Sequence, residues 1–368
     1  MFGIQKPKRN QTINFLIIIL VWLIAIYLWD FLQFTDLRIS NELIQDPIAE
    51  KMKGLNLLIG GVFLGTIFGL QNLYFKKRQN KLRKQSYGRI ILKYSIGHIL
   101  LTTISIFSIG IITKLIINGT IDKNTFIEIR AYARSANFIR IVLFTYLVSV
   151  GITLFQIINQ KFGPGVLMDL LLGKYRQPKE ENMIFLFMDL KSSTSYAERL
   201  GHIKYSELIQ DCFSDMTPAI NMCEAEIYQY VGDEVVLMWP YKKGVQNGNC
   251  INLLFQFKEI LQKRSEHYLS NYDFVPQFKA GINGGKLTVA EVGVIKRSVA
   301  YHGDVINTAS RIQCLCNSFD QEILISENIV KIFGNNKLFN FQFIDNIQLR
   351  GKKEKINIFG INNATIKK

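Results

Sequence analysis

Cysteine is absent from the first 200 residues and scarce after them: Cys212, Cys223, Cys250, Cys314 and Cys316 are all there is. An odd number of thiols, at spacings that fit neither a disulfide frame nor a zinc site, points to a reducing cytoplasm. Cys314 and Cys316 stand two apart, but a metal site needs more ligands than that stretch supplies. No small-residue cleavage site follows the first apolar run, so that run reads as a span and not as a removable leader. Between Lys76 and Arg89 there is no acidic residue at all, against seven basic ones.

What is present is an unusual pair of properties, a net charge of +15 with 48% hydrophobic residues. Strongly basic soluble chains are normally less apolar, and here the two features come from different places. The apolar residues crowd the first 160 positions in long runs, and much of the basic excess lies between those runs. Membrane topology therefore explains the charge, and nucleic acid is not expected as a partner.

Four runs, 12–29, 55–75, 90–112 and 138–158, approach or exceed the about 20 apolar residues that cross a bilayer. They predict a four-helix transmembrane bundle over residues 1–160. Lys6, Lys8 and Arg9 precede the first run, the basic 76–89 loop separates the second from the third, and Asp30, Asp36, Glu42, Asp46 and Glu50 lie between the first two. By the positive-inside rule both termini and the 76–89 loop are cytoplasmic, at the inner (plasma) membrane. The outer loops are too short for a sensor domain. His98 lies inside the third run and reads either as a sensing residue or as a histidine satisfied by a neighbouring helix.

Residues 161–181 read as a linker. Phe162, Val166, Leu167, Leu170, Leu171 and Tyr175 recur at helical spacing after a Gly-Pro-Gly break. Such a helix could pair with its copy in a second chain or rest on the membrane surface. The rest, 182–362 before a short tail at 363–368, reads as a cytoplasmic α+β domain. Its strands are expected at 184–188, 225–231, 235–239, 275–283 and 286–292, and its helices at 193–216, 246–268 and 304–315. The βαββαβ order predicts a ferredoxin-like palm, an antiparallel sheet with helices on one face.

Three motifs carry chemistry in this domain. An apolar strand ends in Asp189, followed by Leu190 and a hydroxyl-rich helix start, Ser192-Ser193-Thr194. Two β-rich runs flank Gly232-Asp233-Glu234, a hairpin. Two carboxylates on one sheet edge can hold a pair of Mg²⁺ ions against a triphosphate, although each alone reads as a turn residue. The third motif is Gly303-Asp304-Val305-Ile306-Asn307-Thr308-Ala309-Ser310-Arg311, with Asp304 as expected N-cap and Asn307 and Arg311 four apart on one helical face. An amide beside a guanidinium suits a ribose and a phosphate oxygen, and equally suits a solvated face.

In this order and spacing the motifs resemble the catalytic domain of the class III nucleotidyl cyclases (adenylate and guanylate cyclases), over roughly residues 181–361. The resemblance extends to membrane-anchored bacterial members. It implies that Asp189 and Asp233, assisted by the Leu190 carbonyl, bind two Mg²⁺ or Mn²⁺ ions. It implies that Ser192, Ser193 and Thr194 cradle phosphates, that Asn307 orients the ribose and Arg311 stabilises the transition-state phosphate. Arg350, with Lys352 as rival, would meet the terminal phosphates. It further implies a homodimer whose site is shared, one chain giving the carboxylates and its partner Asn307 and Arg311.

Where the family reads the base, this chain departs. Gln229 stands where adenylate cyclases usually have Lys, and Ala300 where they have Asp or Thr; guanylate cyclases place Glu and Cys there. ATP is the expected substrate, with guanylate or mixed specificity and a non-catalytic nucleotide-binding module as alternatives. Diguanylate cyclase is disfavoured because Gly232-Asp233-Glu234 lacks that family's Gly-Gly-Asp/Glu-Glu-Phe signature, and a transporter because no broken-helix repeat is present.

Overall fold

The computed structural model describes residues 6–39, 47–77, 85–118, 123–162, 166–295, 297–334, 339–349 and 354–362. The chain divides into two compact units, one over 4–161 and the other over 162–368.

The first unit is helical: α1 (Lys6–Ile39), α2 (Pro47–Lys77), α3 (Tyr87–Asn118), α4 (Lys123–Ala133) and α5 (Ala136–Phe162). Among the described residues three helices are long and apolar enough to cross a membrane, at Phe15–Leu32, Tyr87–Ser108 and Ala136–Asn159. Three of the four segments expected to span thus lie in helices of that length and composition; the fourth, 55–75, lies on α2, part of it outside the described side chains. Trp22 of α1 stacks on Phe68 of α2 with ring centroids 4.3 Å apart, and both are buried in one cluster with Ile18 and Leu64.

The second unit opens with a short helix, α6 (Val166–Leu171), and continues through β1 (Lys179–Leu190), α7 (Ser193–Met222), β2 (Glu226–Val231) and β3 (Glu234–Pro240). Then come α8 (Tyr241–Val245), a 3₁₀ turn, α9 (Asn249–Lys263), α10 (Ser265–Tyr272), β4 (Phe278–Val292) and β5 (Ser298–His302). The chain closes with α11 (Asp304–Cys314), β6 (Ile323–Ser326), α12 (Glu327–Phe333), β7 (Asn340–Ile347) and β8 (Ile356–Asn362).

The strands run β2-β3-β1-β4-β6-β8-β7, with β5 paired to β4 beside this path. The first four reproduce the βαββαβ arrangement, but the sheet is mixed: β4 and β6 are parallel, since the chain passes from one to the other through α11. Helices also cover both faces. Ile184, Leu186, Met188 and Leu190 face α7, α9 and α10, while Met183, Phe185 and Phe187 pack with Val305 and Ala309 of α11. A strand buried on both sides is apolar at every position, which is why β1 reads as an unbroken hydrophobic run.

Other boundaries moved for local reasons. Residues 275–283 and 286–292 form one strand, because β4 pairs with β1 along its whole length from Lys179↔Val289 to Leu190↔Phe278 and carries Gly284-Gly285 within it. The expected helix 246–268 is broken at Arg264, whose φ of −103° ends α9 before α10 begins. In α7 a break at Gly201 (φ 72°, ψ 165°) turns the helix, and Ile203 just beyond it is 81% exposed although it is apolar. Tyr175 does not extend the linker helix. That helix stops at Leu171, and Tyr175 is buried on the α11 side of the sheet, its carbonyl accepting the Glu291 N–H at 2.8 Å.

Candidate active site

β1 lies between β3 and β4, and its C-terminal end places Asp189 directly across from Lys279 of β4. On the other side the last pair is Met188↔Val235, so one further step along the register sets Asp189 against Glu234. β2 and β3 meet at the pair Val231↔Glu234, leaving Gly232-Asp233 as a two-residue turn. Gly232 has φ 62°, the left-handed region that a glycine enters without strain, and it lets the chain reverse tightly enough to bring Asp233 in beside Asp189.

The carboxylates are close enough to feel one another. Burial and then the Asp233 charge hold the Asp189 carboxyl above its ordinary range, with Lys279 pulling it back. Glu234, half-buried, is pushed up to about 7 by burial and by both neighbouring carboxylates. Lys279 Nζ lies 3.4 Å from Asp189 Oδ2, with only 13% of its side chain exposed. Asp233 Oδ2 is buried with no hydrogen-bond partner among the described residues.

Three carboxylates facing one ammonium, one oxygen of them orphaned, form a donor set of hard oxygens that fits a hard divalent cation. Among the described residues no three His, Cys, Asp or Glu side chains close on an ion by themselves. Backbone carbonyls, water and substrate oxygens would therefore complete the coordination, as is usual where a cation carries phosphates.

The other expected residues fall into two groups. Ser192 (φ 60°) turns the chain from β1 into α7 and is its N-cap, with Ser193 and Thr194 opening the helix, so the backbone N–H end of α7 lies next to Asp189 in sequence. Leu190 is buried, and its backbone pairs with Phe278. Asn307 and Arg311 lie on α11, Asn307 exposed and Arg311 half-buried. Among the described residues neither makes a hydrogen bond or ion pair with Asp189 or Asp233. Gln229 is exposed on β2 just after a bulge, and Ala300 sits on β5 opposite Ala290. Arg350 and Lys352 lie outside the described residues. Asp304 is not the cap of α11. Gly303 holds that position, and Asp304 in the first turn accepts the Thr308 hydroxyl at 3.1 Å.

Three neighbours were not anticipated. Gln313 of α11 donates its amide to Asp189 Oδ2 at 3.3 Å. Lys279 was findable only by strand register. Tyr205 of α7 interacts with Ser193 and Asp233, and burial followed by the Asp233 charge pushes its hydroxyl up to about 12. α11 approaches closely enough for the Gln313 contact because Gly281 has no side chain: a Cβ there would stand 2.3 Å from the Gln313 nitrogen.

A family model, the adenylate and guanylate cyclase catalytic domain, matches residues 175–363. The chain belongs to this family. Cyclases of this class generally use divalent metals, in keeping with the carboxylate edge. The chain is 30% identical over 204 residues to "Adenylate cyclase 2" of Rhizobium meliloti (strain 1021), covering 55% of this chain and 56% of that protein. It is 26% identical over 186 residues to an adenylate cyclase of Anabaena cylindrica, covering 49% of this chain and 36% of that one. The matched part is thus about half or less of these relatives. A solved bacterial light-regulated adenylyl cyclase shares the fold, with a TM-score of 0.51, 18% identity and coverage of 60% of this chain and 64% of that one.

Proposed function

We propose that this chain is a membrane-anchored adenylate cyclase, converting ATP to 3′,5′-cyclic AMP and pyrophosphate in a homodimer. The observation that carries the reading is the convergence of Asp189 and Asp233 on one sheet edge, with a buried, unpartnered Asp233 oxygen. Three apolar helices supply the anchor, and the cyclases it resembles in sequence bear the adenylate cyclase name.

Asp189, Asp233 and the Leu190 carbonyl would hold two divalent cations, Mg²⁺ or Mn²⁺. When bound, these lower the pKa of the substrate 3′-hydroxyl and offset charge on the α-phosphate. The 3′-hydroxyl gives up its proton to solvent as its oxygen attacks the α-phosphorus, the bond from that phosphorus to the oxygen bridging to the β-phosphate breaks, and pyrophosphate leaves with that oxygen. Ser192, Ser193 and Thr194 present the N-terminal N–H groups of α7 to the phosphates. Lys279 balances Asp189 in the free chain and is placed to meet a phosphate oxygen once that carboxylate is engaged elsewhere.

Asn307 and Arg311 serve a second subunit's nucleotide. Arg311 is two residues from Gln313, about 200° around a helix of 3.6 residues per turn, so with Gln313 turned to Asp189 the guanidinium faces away from it. In a two-fold dimer that outward face meets the partner's carboxylates. There Asn307 orients the ribose and Arg311 stabilises charge on the reacting phosphate. Gln229 both donates and accepts, and Ala300 offers no polar group, so a guanylate or mixed specificity is the second reading.

The test is stoichiometric conversion. The purified full-length chain with ATP and Mn²⁺ should release cyclic AMP and pyrophosphate one to one, and Asp189→Ala should lower the rate at least about 100-fold. An unchanged rate in that variant would remove the carboxylate edge from the reaction.

A further inference from the structure

One oxygen of the Asp189 carboxylate is held by two donors. Lys279 Nζ stands 3.4 Å from Oδ2 on the β4 side, and the Gln313 amide of α11 donates to the same atom at 3.3 Å. Gln313 is 3% exposed and lies on the buried face of α11 with Ala309 and Ile312. Gly281 gives it room, since a Cβ there would collide with the Gln313 backbone. The second carboxylate has an uncharged neighbour too, because the Tyr205 hydroxyl interacts with Asp233.

A buried amide costs free energy unless it is hydrogen-bonded, and leucine or methionine would fill a similar volume without that cost. Packing alone therefore does not account for a glutamine at this place, whereas the Asp189 carboxylate does. The two donors differ in what substrate does to them. Lys279 ends a flexible stem and carries a charge that a phosphate oxygen can draw off. Gln313 is neutral and sits in the packed face of a helix. With Oδ2 engaged, Oδ1 is the oxygen left to meet a cation beside Asp233. An uncharged donor orients the carboxylate without cancelling the charge that attracts the cation. A glutamate there would instead add a fourth carboxylate to Asp189, Asp233 and Glu234.

We propose that Gln313 is a positioning residue for the cation site: its amide keeps Asp189 Oδ2 engaged, and Oδ1 free for the metal, when nucleotide draws Lys279 away. This rests on the two-cation reading above and gives Gln313 no contact with substrate.

Mn²⁺ binding to the purified full-length chain in lipid nanodiscs is read from the paramagnetic resonance signal of the free ion. The non-cyclising analogue α,β-methylene-ATP is present, and Asp189→Ala sets the background of ion held by nucleotide alone. In Gln313→Leu the Mn²⁺ affinity should fall at least about tenfold. With ATP, kcat should fall while KM changes less than about threefold, and the melting point in chelator should stay within about 2 °C of wild type. Should Gln313→Leu aggregate, Gln313→Met, unbranched like glutamine and unable to donate, is read the same way. Wild-type Mn²⁺ affinity in these variants overturns the role of Gln313 and leaves the carboxylate edge standing. A loss of affinity that comes only with a matching loss of thermal stability makes Gln313 a packing residue and also overturns it. Wild type binding no better than Asp189→Ala defeats the carboxylate edge itself, and this inference with it.

Discussion

Gln313 and Asp189 lie 124 residues apart in sequence and are joined by one hydrogen bond of 3.3 Å, while Val305, Thr308, Ala309 and Ile312 form the buried face of α11. Once that face of the helix is committed to the chain's own carboxylate, Asn307 and Arg311 are left on the outer side. Asn307 is six residues from Gln313, about 120° around the helix. The fold thus separates two groups of expected site residues within one subunit, and the separation is itself a mechanistic statement.

It predicts complementation. Asp233→Asn and Asn307→Ala chains should each lose activity about 100-fold or more when expressed alone. Co-expressed, half of the dimers are mixed, and each mixed dimer keeps one intact site of two, so about a quarter of wild-type activity should return. Assay of co-purified, differently tagged chains checks this. A site built within one chain gives no recovery.

Gly281 predicts how tightly that arrangement is held. A Cβ there would also lie 2.6 Å from the Gln313 Cα and 2.7 Å from the Ala309 carbonyl oxygen, backbone atoms that cannot swing aside. Gly281→Val should cost about 3 kcal/mol in chemical denaturation and abolish cyclase activity. Gln313→Leu removes the hydrogen bond but not the packing, and should lower activity with little loss of stability.

The carboxylate edge predicts a pH dependence in the metal-free chain. Glu234 rises from an ordinary 4.5 to about 7, so the folded state holds a proton that the unfolded chain has released. Stability is therefore highest below pH 4.5 as far as this group goes, and falls as pH rises toward and through 7. Asp189, also raised, acts in the same direction. Because Glu234 is only half-buried, screening reduces the effect to roughly 1 kcal/mol. Urea midpoints in chelator at pH 5 and pH 8 should show the decline, Glu234→Gln should flatten it, and Mn²⁺ should stabilise more at pH 8 than at pH 5.

Much of this was legible in the sequence. The three motifs sit where their spacing placed them, on a strand end, a hairpin turn and a helix, because each depends on local turn and helix chemistry. What the sequence hid depends on contacts between distant segments. Lys279 becomes part of the site only through its register opposite Asp189. Tyr205 arrives only after the break at Gly201. Gly284-Gly285 resembles a turn, yet stays in strand because Met183 and Ile184 pair across it. Helices cover both faces where one was expected, and the sign of it was in β1, whose odd and even residues are equally apolar.

Tyr175 and the first residues of β1 bear on the lower limit of the catalytic unit. A chain starting at Asn182 loses the buried Tyr175, its bond to the Glu291 N–H and the pairs Lys179↔Val289 to Glu181↔Leu287. It should be less stable than one starting at Gly173 by about 3 kcal/mol or more. Thermal melts of the two side by side decide; equal midpoints would place Tyr175 outside the core.

The most direct test of the central claim is product identification under competition. Membranes carrying the full-length chain receive equal ATP and GTP with Mn²⁺, beside an Asp189→Ala control, and the nucleotides are resolved by mass spectrometry. Cyclic AMP well in excess of cyclic GMP, and neither in the control, is the predicted result. Cyclic GMP as the main product would contradict the adenylate assignment, and no product above control would contradict catalysis itself.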